Sequence, residues 1–207
     1  MKVYIDGENC RKGLTRVLKE TGDIAGSREM ENYRLRDLLA DVLETNDIEI
    51  GYYASYIKLP NGYQPSGGVL RHVQKIKEYS RKWVPALESQ GIEYVKAGYL
   101  KVKSTKECRN CHEVQDVLQE KGVDVRIATE MLEDAYTNKQ NVIVVMSSDT
   151  DLCPAIHKIK THGAKVIYVA FADWVNRAVS AAASETVTIS IAKVQKYSKP
   201  EEDSHSE

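Results

Sequence analysis

The stretch Asn141-Val142-Ile143-Val144-Val145-Met146-Ser147-Ser148-Asp149-Thr150-Asp151-Leu152 decides the fold. Five successive apolar residues bounded by polar ones form a strand buried on both faces, as in a central parallel sheet. Serines and acids follow at once, so the chain turns and presents carboxylates at the strand's carboxyl end. Downstream, Leu152–Thr161 reads as a helix with Pro154 in its first turn and Gly163 past its end. Lys165–Ala170 is a second buried strand, Trp174–Ala183 a short helix and Thr186–Ile189 a small strand.

Upstream the same alternation holds. Val3-Tyr4-Ile5 ends at Asp6-Gly7, and a helix follows through Leu14, Val17 and Leu18. Residues 32–44 are helical, with Leu35, Leu38, Leu39, Val42 and Leu43 at three- and four-residue intervals. Ile48–Ile57 is a strand, residues 58–68 a Pro- and Gly-rich loop, and Val69–Gln90 a helix that Pro85 interrupts or kinks. Ile92–Val102 is a strand, 103–121 a polar connection, and Val123–Tyr136 an amphipathic helix with Val125, Ala128, Leu132 and Ala135 on one face. Strands alternating with helices predict an α/β fold with a mostly parallel sheet. One domain over 1–194 is expected, with the insertion at 103–121 and a disordered acidic tail over 195–207.

The 207 residues carry 29 basic and 30 acidic side chains, a formal charge of −1. That balance excludes a surface that coats nucleic acid indiscriminately. The charges are segregated, however. Residues 71–106 hold nine bases against three acids, and residues 107–151 hold ten acids against four bases. No apolar run is long enough to span a membrane and the N-terminus has no signal-peptide core, so a cytoplasmic protein is expected. The four cysteines therefore predict no disulfide framework. Cys108-Arg109-Asn110-Cys111-His112 has the shape of a haem-attachment motif, which would require export; half of a zinc site, or a reduced pair, are the readings that remain.

Ligands in parallel sheets bind beyond the carboxyl ends of the strands. Asp6 follows the first strand, Asp149 and Asp151 follow the strand at 142–146, and Asp124 begins the helix that feeds that strand. Each acid also has a structural role open to it: Asp124 and Asp151 as helix caps, Asp6 as a turn former. Four carboxylates at one edge repel unless a cation holds them, and hard oxygen donors select Mg²⁺ or Mn²⁺. Hydrolysis of a phosphodiester is the chemistry such a cluster suits. A haloacid-dehalogenase-like phosphatase is a lesser reading, because Glu8 stands where that chemistry wants a second Asp.

These segments together resemble the NYN domain family, a branch of the PIN-like nucleases. Val3-Tyr4-Ile5-Asp6-Gly7-Glu8-Asn9 is similar to its opening strand and D-G-x-N motif. Lys121-Gly122-Val123-Asp124 and Ser147-Ser148-Asp149-Thr150-Asp151 are similar to its K-G-V-D and S-x-D-x-D segments, in the same order. The resemblance implies an α/β/α sandwich and Mg²⁺- or Mn²⁺-dependent endonucleolytic cleavage of RNA. It implies Asp6, Asp124, Asp149 and Asp151 as metal ligands and Asn9 as the residue that orients Asp6, a water or the phosphate. The broader pattern has a further acid on an earlier helix, for which Glu8 and Asp37 are the substitutes here. A cysteine pair before K-G-V-D also occurs in parts of the family, consistent with structural Zn²⁺ at Cys108 and Cys111. Arg71, Lys75, Lys101 and Lys103 are expected to hold phosphates, and Tyr53, with Tyr52, Tyr56, Tyr63 and Tyr99, to stack on bases. A non-catalytic module binding RNA or protein is the alternative, and a homodimer or a protein partner is left open.

Overall fold

The computed structural model of the chain describes residues 1–23, 27–58, 67–104, 116–137 and 140–198. Seven strands form one sheet: β1 (Lys2–Asp6), β2 (Glu49–Ile57), β3 (Ile92–Ser104), β4 (Asp116–Lys121), β5 (Val142–Met146), β6 (Lys165–Phe171) and β7 (Glu185–Ile189). Their spatial order is β4-β3-β2-β1-β5-β6-β7; β4 runs antiparallel to β3 and the other pairings are parallel. The chain builds outward from β1 to β3, then resumes on the other side with β5. The direction of winding thus reverses between β1 and β5, where Ile5 pairs with Met146. Such a switch point opens a crevice at the carboxyl ends of its two strands.

Among the described residues seven helices cover the sheet: α1 (Gly7–Glu20), α2 (Leu35–Leu43), α3 (Gly67–Ser89), α4 (Val123–Tyr136), α5 (Cys153–Thr161), α6 (Arg177–Ala182) and α7 (Ile191–Lys196). Strand residues alternate between two apolar clusters because successive side chains point to opposite faces. Val3 and Ile5 pack with Leu14, Leu38, Trp83 and Val194 from α1, α2, α3 and α7. Tyr4 packs on the other face with Ile127, Ile156 and Val179 from α4, α5 and α6. Among the described residues no helix is long and apolar enough to cross a membrane.

The alternation read from sequence is present, with four corrections. Asp116–Lys121 is a strand rather than part of a polar connection; as the sheet's outer edge it carries little apolar pattern for a reader to detect. The fully buried residues of α4's core face include Val123, Ile127 and Met131; of the expected stripe, Ala128, Leu132 and Ala135 pack partly buried against the same core, while Val125 is 63% exposed. Of the two expectations for Pro85, the interruption is overturned, because α3 runs on through it. Helix α7 forms and Tyr197 is buried, so residues 195–198 belong to the fold rather than to a tail. Residues 199–207, residues 59–66 of the loop expected at 58–68, and residues 105–115 with Cys108 and Cys111 lie outside the described residues.

Candidate active site

Strand β1 ends at Asp6, whose backbone is still extended (φ −69°, ψ 109°) and whose side chain caps α1. Asp6 Oδ1 accepts the main-chain amides of Glu8 and Asn9, each at 3.1 Å. Its Oδ2 accepts the Asn9 side-chain amide at 2.5 Å and the Ser147 hydroxyl at 3.0 Å. The carboxylate is 7% exposed, and burial pushes its pKa above the ordinary value although these donors pull the other way. Gly7 is required behind it: a Cβ there would lie 2.8 Å from the Tyr53 carbonyl oxygen and 2.5 Å from the Tyr52 ring.

The neighbouring strand brings the second group of residues. Past Met146, the Ser147 hydroxyl that donates to Asp6 also accepts the Asp149 amide at 3.2 Å. The Ser148 hydroxyl donates to Asn9 Oδ1, and Asn176 donates to the Ser148 carbonyl at 2.8 Å. Asp149 Oδ1 accepts the Asp151 amide at 2.9 Å and caps the 3-10 turn Thr150–Leu152. The third element is α4, entered through Gly122 in the left-handed region (φ 89°), with Asp124 in its first turn. Close approach at Gly98 seats that entry: a Cβ there would stand 2.4 Å from the Lys121 carbonyl oxygen.

Carboxylate oxygens of Asp124, Asp149 and Asp151 lie within 4.8 Å of one another, the first two half-buried and the third exposed. Asp6, expected with them, lies outside this trio; its two oxygens are engaged by the helix start, Asn9 and Ser147. Three negative groups at that separation repel in the absence of a cation. An all-oxygen donor set of this kind fits a hard divalent ion.

Beside the trio runs a cleft of about 590 Å³, bordered by Asp6, Glu8, Asn9 and Asp149 at one end and by α3 along a wall. Lys75 lines it, and Arg71 stands exposed one turn earlier on α3. Lys101 and Lys103 are exposed, but they pair with Gln119 and Val117 and so point away from the face that holds Leu100, Leu118 and Glu120. Tyr53 is not a surface residue. It is 1% exposed, stacks on Tyr4 with ring centroids 5.7 Å apart, and donates its hydroxyl to Glu130. Its side chain packs on the sheet face covered by α4 and does not line the cleft, which removes Tyr53 from any base. Tyr52 is also buried, Tyr56 is exposed beside Tyr99, and Tyr63 lies outside the described residues.

Neither proposed substitute for the missing acid serves as a free carboxylate at the trio. Glu8 borders the cleft but is held by Arg11 at 2.8 Å and Lys12 at 3.3 Å; burial raises its pKa, and these cations outweigh it and bring the value below normal. Asp37 pairs with Arg34 at 3.4 Å in the first turn of α2. Its neighbour Arg36 reaches the carbonyls of Ile48 and Gly91, at the opposite edge of the sheet. The acid that sequence reading missed is Glu120 on β4. Partial burial, and then the charges of Asp6, Glu8 and Asp124, raise its pKa to about 7. Its register opposite Leu100 aims it into the cleft, a fact hidden while β4 was read as loop. His72, one turn from Lys75, also lines the cleft without having been singled out.

A solved structure of a protein of unknown function from Vibrio parahaemolyticus is 16% identical, with 91% of each chain covered and a TM-score of 0.47. Among curated proteins none matches the chain. The NYN domain model matches residues 1–191, which spans the sheet, the carboxylate trio and the cleft. The chain is a member of the NYN domain family.

Proposed function

We propose that this protein is a metal-dependent endoribonuclease with the PIN-like α/β/α layering, hydrolysing phosphodiester bonds of RNA at the Asp124–Asp149–Asp151 trio. The observation that carries the reading is the convergence of three carboxylates from α4 and the β5 loop within 4.8 Å, at the sheet's switch point, in a chain of a nuclease-related family. Asp124, Asp149 and Asp151 would hold Mg²⁺ or Mn²⁺. A bound ion there would supply an activated water and neutralise charge on the phosphate.

The chain's own residues do the rest. Asp6 fixes Asn9 and, through Ser147, the main chain of Asp149, so the trio is held by packed strands rather than by a free loop. Lys75 supplies positive charge in the cleft, with Arg71 exposed one turn earlier on α3, which draws the phosphate backbone toward it. Of the basic stretch 71–106, Lys75 reaches this groove, and of the acidic stretch 107–151, Glu120 and Asp149 do.

Purified protein should cleave labelled single-stranded or structured RNA with Mg²⁺ or Mn²⁺ and stop in EDTA. Asp149→Asn should reduce cleavage by about a hundredfold or more, while its amide oxygen still caps the 3-10 turn. The engagement of Asp6 by four donors favours a second reading, in which the acids serve the fold and the module binds RNA or a protein without turnover. RNA binding that persists in EDTA, with no cleavage by wild-type protein in either metal, would select that reading.

A further inference from the structure

The aromatic lining of the cleft is a composition that phosphate binding does not require. Tyr52 and Tyr94 are cross-strand partners on β2 and β3 and stack with centroids 6.1 Å apart at 19°. Tyr79 and Trp83, one turn apart on α3, stack at 6.0 Å and 29°. Ser55, from β2, joins these rings in lining the cleft. Three side-chain atoms in this lining are buried with no hydrogen-bond partner: Ser55 Oγ, Tyr79 OH and Trp83 Nε1. The Tyr52 hydroxyl lies near the last two, but its one proton is committed to the Gly7 carbonyl at 2.7 Å. Among the described residues the one other such atom is Arg16 Nε. Buried polar groups left unpaired are costly, so their concentration in one cleft points to a ligand that completes them.

Their chemistry restricts that ligand. The indole N–H only donates, so the ligand brings an acceptor; the two hydroxyls can donate or accept. Aromatic walls favour a flat ring system, and about 590 Å³ is within the usual size of a small-molecule site. Arg11 and Lys12 are taken by Glu8, but Lys75 borders the same space and favours a ring attached to an anion. A nucleobase carried on a phosphate satisfies all of these conditions. Because Asp149 and Glu120 border the cleft too, a strand whose base enters it leaves its backbone beside the carboxylate trio.

We propose that this cleft is a base pocket, which takes one unstacked nucleobase of an RNA strand through Ser55, Tyr79 and Trp83 and gives the cleavage site a base preference. The inference rests on the ribonuclease reading for its ligand. The pocket and the cleavage chemistry are nevertheless separable by experiment.

The chain has two tryptophans, and Trp174 lies outside the cleft, beside Arg16. In a Trp174→Phe/Asp149→Asn protein with Mg²⁺, emission therefore reports Trp83 alone. Labelled ten-nucleotide homopolymers are titrated while anisotropy and Trp83 emission are followed together. The expected result is quenching with the same midpoint as binding, one base favoured about tenfold, and binding without quenching by an abasic ten-mer. Tyr79→Phe and Ser55→Ala, each checked for an unchanged circular dichroism spectrum, should each reduce the base preference about fivefold. RNA binding without quenching, no RNA binding at all, or free nucleoside monophosphate quenching as tightly as RNA would overturn the proposal. Quenching by RNA in a protein whose wild type cleaves nothing leaves the pocket standing and removes the nuclease reading. Cleavage without quenching does the reverse.

Discussion

The Ser147 hydroxyl donates to Asp6 Oδ2 at 3.0 Å, joining residues 141 positions apart in sequence across the sheet's switch point. The same oxygen accepts the Asp149 amide, so one small side chain ties the buried carboxylate of β1 to the loop that carries two of the trio. Ser147→Ala leaves the amide of Asp149 without this acceptor and Asp6 with one donor fewer. Stability should fall by about 1–2 kcal/mol in urea denaturation. RNA cleavage should fall as well, because Asp149 loses its anchor; an unchanged cleavage rate would show that the anchor does not matter.

Asp6 and Glu120 give the fold a defined pH dependence. Each has a folded pKa above its unfolded value, so the folded state binds more protons than the unfolded state between those values. Stability then falls as pH rises through that window, which for Glu120 ends near 7. The Glu120 side chain remains exposed on the edge strand, and solvent screening keeps its share to about 1 kcal/mol or less. Denaturation midpoints from pH 4.5 to 8 should show a decline that is shallower in Glu120→Gln. Identical slopes in the two proteins would show that Glu120 titrates normally.

Tyr53 tests the distinction between a core residue and an RNA contact. Its hydroxyl bonds to Glu130, which Arg126 also pairs with, so Tyr53→Phe removes one hydrogen bond and leaves the ring stacked on Tyr4. A loss of about 1 kcal/mol is expected, with RNA affinity and cleavage unchanged. A drop in RNA affinity without a drop in stability would return Tyr53 to the binding surface.

How much of this was legible beforehand follows from what each element buries. Strand β5 and helix α4 announce themselves, since one is apolar throughout and the other periodic. On α4 the expected stripe holds for Ala128, Leu132 and Ala135 but not for Val125, because the neighbouring stripe Val123–Met131 shares the periodicity and the sheet centres on it. Strand β4 was invisible because an edge strand need not be apolar, and with it went Glu120. The trio was legible because Asp149 and Asp151 follow a parallel strand and Asp124 begins the helix that feeds that strand, so topology sets them at one edge. That Asp6 would be engaged by four donors was not, since the partners Asn9 and Ser147 are set by side-chain rotamers that no periodicity encodes.

Gly98 links packing to the site directly. A Cβ added there would meet the Lys121 carbonyl oxygen at 2.4 Å and the Val123 amide nitrogen at 2.9 Å, both backbone atoms that no rotamer change can move. Gly98→Ala therefore has to displace the Lys121–Val123 segment, and with it the first turn of α4, which carries Asp124. The overpacking should cost about 1–3 kcal/mol. Asp124 would also be carried away from Asp149 and Asp151, so the variant should lose cleavage even at temperatures where it is fully folded. Thermal melts with and without Mn²⁺ separate the two effects. An ion held by the trio stabilises wild type in proportion to its affinity, and the displaced trio of Gly98→Ala should show a smaller shift. An equal Mn²⁺ shift in both proteins would mean that Asp124 is not a ligand.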